Sequence, residues 1–257
     1  NDLEATPRGQ FTIETLRINE GRFVYGSAQN QLNVSKITGE MRIDQGERAL
    51  TITGDFSSIE AIRPEQQLRS IKFLIHQYPD SLRINNIEFM YDSAFVLLEG
   101  KVNITPETMV NLNFQTSQLS LGTILPRYGV TYFEDDQWDI KGNIKTDFQE
   151  YQLYTSFTGV LDEKTRASGS LELSAGEQFI DIPSGNITLG SSNVTFNGHY
   201  TMNQGGNANV GFQSVNLHDF FETLPVTALD GNMTLVDSSG KLSNPDLTAS
   251  IDLQPSR

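Results

Sequence analysis

The chain has 257 residues, a net charge of -14 and no cysteine. This length suits one large all-β domain or two ordinary domains. The excess of acidic residues opposes binding to nucleic acid and direct adhesion to anionic membranes. The absence of cysteine fits the cytosol or a periplasm-like compartment that does without disulfides. No apolar run is long enough to cross a bilayer, and we expect the chain, which begins at Asn1, to be an excised or processed piece of a longer protein.

Alternation of apolar and polar residues dominates the chain and predicts half-buried β-strands. In chain order, the clearest alternating segments are 50–56, 96–104, 110–114, 138–146, 153–161, 194–200, 210–212, 229–235 and 247–253. Gly, Asn, Asp, Ser and Pro occupy the gaps between these segments, as turns require. The predicted fold class is therefore all-β, with a repeat-built, amphipathic sheet of antiparallel type.

Three short segments have the features of helices. A helix is predicted over 59–70, with a serine at 57 or 58 as its N-cap and Pro64 limiting its length. Two more are predicted over 119–125 and 217–224, and each is followed by a proline. We therefore expect a few short helices among the strands.

Two phrases recur along the chain. LRINEGRFVY at 16–25 returns as LRINNIEFMY at 82–91, with six of ten positions identical. Phe-Gln, a later Leu and then Leu-Pro occur within 114–126 and again within 212–225, and a Gly-Asn strand follows each. Such repeats predict stacked units that bury their apolar faces against neighbours. The polar segment between the two repeat types sets the predicted division into repeat segments 1–127 and 128–257, continuous with each other.

No arrangement of residues predicts catalysis. His76, His199 and His218 lack the spacing of metal ligands. The acidic run 134–136 with Asp139 lacks the ligand ladder of a calcium loop, and we interpret it as a solvated acidic turn. Neither a phosphate-binding loop nor a nucleophile elbow occurs, and no cysteine is present to act as a nucleophile. We therefore predict a protein that is not an enzyme and has no cofactor or metal site.

The two-sided pattern of the strands leaves two architectures open. A closed sandwich would bury two apolar faces against each other at a spacing of about 10 Å. An open folded sheet would instead form an apolar trough, whose natural filler is an acyl chain. Water along such a surface is unfavourable by about 25 cal/mol per Å². Alternation alone does not distinguish the sandwich from the trough.

Particular phrases resemble one family. The segment 16–25, continued by 33–41, resembles the paired strands of AsmA-like proteins, although the second copy of the phrase departs from the pattern with Ile87 in place of Gly21. LDGNMTL at 229–235, followed by GKLSNPDLTASI at 240–251, is similar to a unit of AsmA and TamB proteins.

The resemblance implies a periplasmic, taco-shaped β-structure with an apolar groove in a Gram-negative bacterium. The parent protein would be anchored in the inner membrane by a segment absent from this chain. Its function would be to carry phospholipid acyl chains between the inner and outer membranes. The resemblance to TamB also implies a link to outer-membrane protein assembly. The family has no catalytic residue to transfer to this chain.

On this interpretation, acyl chains slide along a groove while headgroups stay in water. We expect apolar residues of the alternating strands to line it. They are Leu50, Ile52, Val96, Leu98, Val102, Ile104, Leu112, Phe114, Ile140, Ile144, Leu153, Phe157, Val194, Phe196, Val210, Phe212, Met233, Leu235 and Ile251.

Two other classes of function stay open. One is a closed β-sandwich that serves as a binding or adhesion module through its loops, with Tyr128, Tyr132 and Phe133 as the candidate aromatic cluster. The other is a scaffold for outer-membrane protein assembly, which would hold unfolded strands by edge pairing.

Overall fold

The chain consists almost entirely of antiparallel β-structure. The computed structural model of the protein describes residues 14–25, 32–46, 50–61, 67–91, 93–104, 108–124, 136–160, 165–220, 225–241 and 246–254. The chain divides into two compact units, Asn1–Asp92 and Ser93–Arg257. The predicted boundary between repeat segments at 127/128 lies outside the described residues and stays a prediction.

The described part of the first unit is a meander in which each strand pairs with the next. Its strands are β1 (Thr15–Tyr25), β2 (Leu32–Gln45), β3 (Leu50–Ala61), β4 (Gln67–Gln77) and β5 (Ser81–Tyr91). The helix predicted over 59–70 is wrong, because Ile59 pairs with Leu68 in the β3–β4 ladder. Pairing of β3 with β4 in a hairpin overrides the weak helix signal there.

Strands β1 and β5 contain the two copies of the repeated phrase. Both strands have 11 residues, and each copy occupies the same positions in its strand. In each, one extra residue follows the shared Leu-Arg-Ile: the register shifts after Ile18 in β1 and after Ile84 in β5. The phrase therefore encodes a strand with a β-bulge, and the shared Asn19 and Asn85 stand at that bulge.

The second unit contains ten strands and two short helices among its described residues. The strands are β6 (Ala94–Asn103), β7 (Met109–Leu119), β8 (Gln137–Thr146), β9 (Glu150–Val160), β10 (Arg166–Gly176), β11 (Phe179–Leu189), β12 (Ser192–Thr201), β13 (Gly205–Val215), β14 (Leu229–Asp237) and β15 (Leu247–Gln254). The helices α1 (Leu121–Ile124) and α2 (Leu217–Phe220) confirm two of the predicted helices.

The sheet of the second unit is open. Each strand pairs antiparallel with its neighbours in the chain, so the strand order follows the sequence from β6 to β15. Within the described ranges, β6 and β15 do not pair with each other to close a barrel. These features confirm the predicted class, an all-β antiparallel sheet with a few short helices.

Aromatic rings of this unit lie across glycines of the neighbouring strands. Phe114 pairs with Gly142, and a Cβ added to Gly142 would lie 2.7 Å from Cζ of the Phe114 ring. Phe212 pairs with Gly231 in the same way, with a ring carbon at 2.9 Å. The other pairs of this kind are Trp138 on Gly159, Phe157 on Gly169 and Phe196 on Gly185. The rings therefore reach across the glycines of the neighbouring strands, because glycine lets another group approach its backbone closely.

A bulge follows each of the first two rings. Gln118 and Ser214 adopt positive φ values of 57° and 52°. Their backbone N–H groups donate to Oδ1 of Asp139 at 3.1 Å and Oδ1 of Asp230 at 2.7 Å, respectively. The second repeated phrase thus encodes a ring on a glycine, a bulge held by an aspartate, and a short helix.

We expect Gly142→Ala to lower the free energy of unfolding by about 1–3 kcal/mol, because the new methyl group meets both the Phe114 ring and the Tyr154 carbonyl oxygen. Urea denaturation measures this change. Gly211→Ala is the control, since its methyl group would meet mainly the hydroxyl of Thr195 on the other face. Equal stabilities of the two variants would contradict the packing of rings on glycines.

Candidate functional site

One face of the second unit is apolar across all ten strands. The ladders connect one residue from each strand into a continuous row: Leu98, Phe114, Gly142, Thr155, Leu171, Gly185, Phe196, Val210, Met233 and Ile251. The next row, on the opposite face, is Leu97, Gln115, Lys141, Ser156, Ser170, Asn186, Thr195, Gly211, Asn232 and Asp252. We call these the apolar face and the polar face of the unit.

Most of the predicted groove residues of this unit lie on the apolar face. They are Val96, Leu98, Val102, Leu112, Phe114, Ile140, Ile144, Leu153, Phe157, Val194, Phe196, Val210, Phe212, Met233, Leu235 and Ile251. Ile104 instead follows the end of β6. Leu50 and Ile52 belong to β3 in the first unit, where they share a face with Ile43 and Ile75.

Strands β10 and β11 contribute apolar-face residues that the sequence analysis missed. Leu171 and Leu173 of β10 and Ile180, Ile182 and Ile187 of β11 lie there. Their alternation was present in the sequence but weak, because Ala167, Gly169 and Ala175 occupy apolar-face positions of β10 and a register shift interrupts β11 after Ile182.

The apolar face is half-buried rather than buried. Leu98, Phe114, Phe196 and Val210 each retain intermediate exposure, although they lie in the middle of their strands. On the last strand, Leu247 and Ile251 are 61% and 60% exposed. Among the described strands, the close contacts join only neighbours in the sheet. A large apolar surface of this kind marks a binding site.

Both short helices lie at one edge of this sheet. Strands alternate in direction, so β7 and β13 end at the same edge, and α1 and α2 follow those ends. We call this the helix edge. Trp138, Ala167 and Leu189 form a buried cluster there, with Leu121 of α1 packed against it. A buried apolar cluster of the unit therefore lies along the helix edge, whereas central side chains of the apolar face such as Leu98 and Phe114 stay half-buried.

Asp136 fixes α1 to the sheet. Its carboxylate accepts hydrogen bonds from the Ser120 hydroxyl at 2.9 Å, from the backbone N–H groups of Leu121 and Gly122 at 2.7 and 3.0 Å, and from Nε1 of Trp138 at 2.5 Å. The residue is only 2% exposed. The prediction of a solvated acidic turn is therefore wrong for Asp136, which caps the first turn of the helix.

A second network fixes α2. The Ser192 hydroxyl, which is fully buried, accepts from the Asn216 N–H at 2.9 Å. The Thr227 hydroxyl accepts from the Leu217 N–H at 2.8 Å and donates to the Val215 carbonyl at 3.1 Å. These bonds satisfy backbone groups at the helix start, as Asp136 does for α1.

The polar face carries shallow depressions lined by hydroxyl, amide and charged groups. One of them, ≈ 530 Å³, includes Gln115, Asp139, Lys141, Ser170 and Asn186, and another, ≈ 670 Å³, includes Thr195, Gly211 and Asn232. His199 also lies on this face, with Nδ1 3.3 Å from Oδ1 of Asp181. No group of three or more His, Cys, Asp or Glu residues in the described part of the chain could hold a metal ion.

Comparisons with protein-family models, with curated proteins and with solved structures found no match for this chain. None of the helices in the described ranges is long and apolar enough to cross a membrane. The candidate site therefore stands on its own geometry: a largely apolar face with a buried cluster along the helix edge and half-buried side chains in its middle.

We expect Asp136→Ala to lower the free energy of unfolding by about 2–4 kcal/mol, because four donors lose their shared acceptor in a buried position. Asp252→Ala, at an exposed position of β15, is the matched control and should change stability by less than about 0.5 kcal/mol. Urea unfolding curves compare the two. A tolerated Asp136→Ala would show that α1 does not depend on this carboxylate.

Proposed function

We propose that the apolar face of the second unit binds the acyl chains of phospholipids and lets them move along it. The observation that supports this is a largely apolar face that runs across ten strands and whose central side chains Leu98, Phe114, Phe196 and Val210 are only half-buried. Removing such a surface from water is favourable by about 25 cal/mol per Å², and an acyl chain supplies the matching apolar surface.

The mechanism is passive. Contacts with hydrocarbon are non-directional, so a chain can shift from one strand to the next without losing a specific bond. Rings that lean over glycines, such as Phe114 over Gly142, add apolar surface to the face that a chain can contact. Polar headgroups stay in water beyond the edge of the sheet, because burying them without partners is costly.

The wider setting follows the resemblance to AsmA-like and TamB proteins. The chain is a periplasmic segment of a protein anchored in the inner membrane, and it carries phospholipid between the inner and outer membranes of a Gram-negative cell. Partners at the outer membrane include the machinery that assembles β-barrel proteins. Two observations support a repeat-built origin of this kind. LRIN occurs twice, each time in a bulged strand, and a ring on a glycine, a bulge and a short helix also follow one another twice.

Edge pairing is a second candidate function. All eight residues of β15 are exposed, and its only ladder in the described part of the chain is with β14. An edge strand with a free row of N–H and C=O groups can accept a further strand. The closed sandwich is less compatible with the half-buried apolar face, and its candidate loop, Tyr128 to Phe133, lies outside the described residues.

The proposal is tested first by extracting the protein, purified from a Gram-negative host, with organic solvent and analysing the extract by mass spectrometry. Phospholipid in stoichiometric amounts is expected. A clean extract, together with failure of added phospholipid to load, would overturn the acyl-chain proposal and leave edge pairing as the function to test.

We expect Phe196→Asp and Leu98→Asp to reduce bound phospholipid several-fold, because each places a carboxylate in the middle of the apolar face. Asn197→Asp is the matched control. It adds the same charge one residue away on the polar face, where its oxygen can still accept from Nδ2 of Asn209. Circular dichroism verifies folding, and full lipid loading by both apolar-face variants would argue against the site.

A further inference from the structure

The apolar face has a pocket at the edge opposite the helix edge. It has a volume of ≈ 320 Å³ and is formed by strands β11 to β15. Its apolar lining includes Ile180, Ile182, Ala208, Leu235 and Leu247. Tyr200, at the end of β12, and Asp237, at the end of β14, also line it. A carboxylate in such surroundings needs an explanation, because a buried charge without a partner is costly.

One oxygen of Asp237 has a clear structural function. Oδ1 accepts from the backbone N–H and the hydroxyl of Ser239 at 3.0 and 2.8 Å, and from the Asp246 N–H at 2.8 Å. These bonds hold the turn after β14 and the residue that precedes β15. The backbone N–H of Ser239 is the main group that lowers the pKa of Asp237, so the carboxylate is ionised at neutral pH.

The other oxygen of Asp237 takes no part in the turn, and the Tyr200 side chain lies next to the carboxylate. The residue is only 7% exposed, and Oδ2 is buried without a hydrogen bond. None of the ion pairs between described residues includes Asp237. The bonds of the turn therefore involve only Oδ1, and Oδ2 lies on the apolar side of the sheet without a hydrogen bond.

The hydroxyl of Tyr200 lies close to this carboxylate and is also buried without a hydrogen bond. Burial, together with the Asp237 charge, raises the pKa of Tyr200, so the phenol stays neutral. Its ring lies beside Gly206 of β13, which fixes the hydroxyl at the pocket. Two oxygens that can accept hydrogen bonds thus flank one apolar pocket.

We infer that this pocket binds the primary ammonium group of an aminophospholipid whose acyl chains lie on the apolar face. This inference rests on the proposed function, because the same face must hold the chains. A primary ammonium has three N–H donors and a positive charge, which match the carboxylate oxygen and the phenol oxygen. Leu235, Leu247 and Ile182 suit the carbons next to the ammonium.

The same geometry disfavours other ligands. A divalent metal would need several more oxygen ligands than one carboxylate and one phenol supply. An anionic headgroup without an ammonium would meet the Asp237 charge unpaired, so the carboxylate selects by repulsion as well as by attraction. A quaternary ammonium has the charge but no N–H to donate. The order of preference is therefore primary ammonium, then quaternary ammonium, then a purely anionic headgroup.

The test compares binding of dioctanoyl phosphatidylethanolamine and dioctanoyl phosphatidylglycerol to the full chain by isothermal titration calorimetry. The two lipids share their acyl chains and differ in the headgroup. We expect phosphatidylethanolamine to bind about tenfold more tightly, as one charge-assisted hydrogen bond allows. Asp237→Asn, which keeps Oδ1 for the turn but removes the charge, should abolish the preference, and Tyr200→Phe should reduce it.

Asp252→Asn, an equal change of charge on the polar face, is the control and should keep the preference. Equal binding of the two lipids by the unmodified chain, or a preference that survives in Asp237→Asn, would overturn the ammonium site while leaving the acyl-chain face intact. Binding of neither lipid would overturn both the site and the proposed function. Urea midpoints of the variants confirm that the turn is preserved.

Discussion

The structure of the second unit depends on unbroken register between antiparallel strands. Side chains alternate with a period of two, so a slip of one residue in any ladder would send that strand's apolar residues to the polar face. Nine consecutive ladders keep Leu98 at one end and Ile251 at the other on the same face. The binding surface that we propose exists only because these registers agree.

The bulges are part of this constraint. In β7, the bulge at Gln118 changes the parity of the strand, so that Leu119 joins Trp138 on the apolar face although Phe114 is five residues earlier. In β13, the bulge at Ser214 brings Val215 beside Leu229 in the same way. Each bulge redirects the strand end into the rim along the helix edge. The aspartates that hold these bulges therefore support a wall of the site rather than bind a ligand themselves.

The two edges of the sheet differ in structure and in the function that we propose for them. At the helix edge, buried Trp138 and Asp136 secure α1, and apolar packing closes the rim. At the opposite edge, the turn after β14 leaves one oxygen of Asp237 free beside an apolar pocket. An amphiphile has the same asymmetry, with hydrocarbon at one end and a polar group at the other. The proposed lipid would lie with its chains on the apolar face and its headgroup toward the open edge.

Local sequence determined much of this protein. Period-two alternation predicted the strands and the membership of one face, since alternation survives in any register that buries that face. The prolines at 126 and 225 correctly marked the neighbourhoods of α1 and α2. The two repeated phrases were recognisable in the sequence itself, and each corresponds to a bulged strand.

Only the tertiary structure decided the rest, because it depends on which strands become neighbours. The capping signal near 59–70 gave way to the β3–β4 ladder, because both ends of this segment extend strands that pair with each other and, on their other sides, with β2 and β5. In the sequence, Asp136 is the last of three consecutive acidic residues in a polar segment. Pairing of β7 with β8 brings its carboxylate within hydrogen-bonding distance of Ser120 and Leu121. Asp237 looks like an ordinary turn residue, and the position of its Oδ2 atom at a pocket is evident only once β13 and β15 flank β14 and Tyr200 of β12 lies nearby. Alternation could not separate a sandwich from an open face, because that choice lies in whether a second layer packs on the sheet.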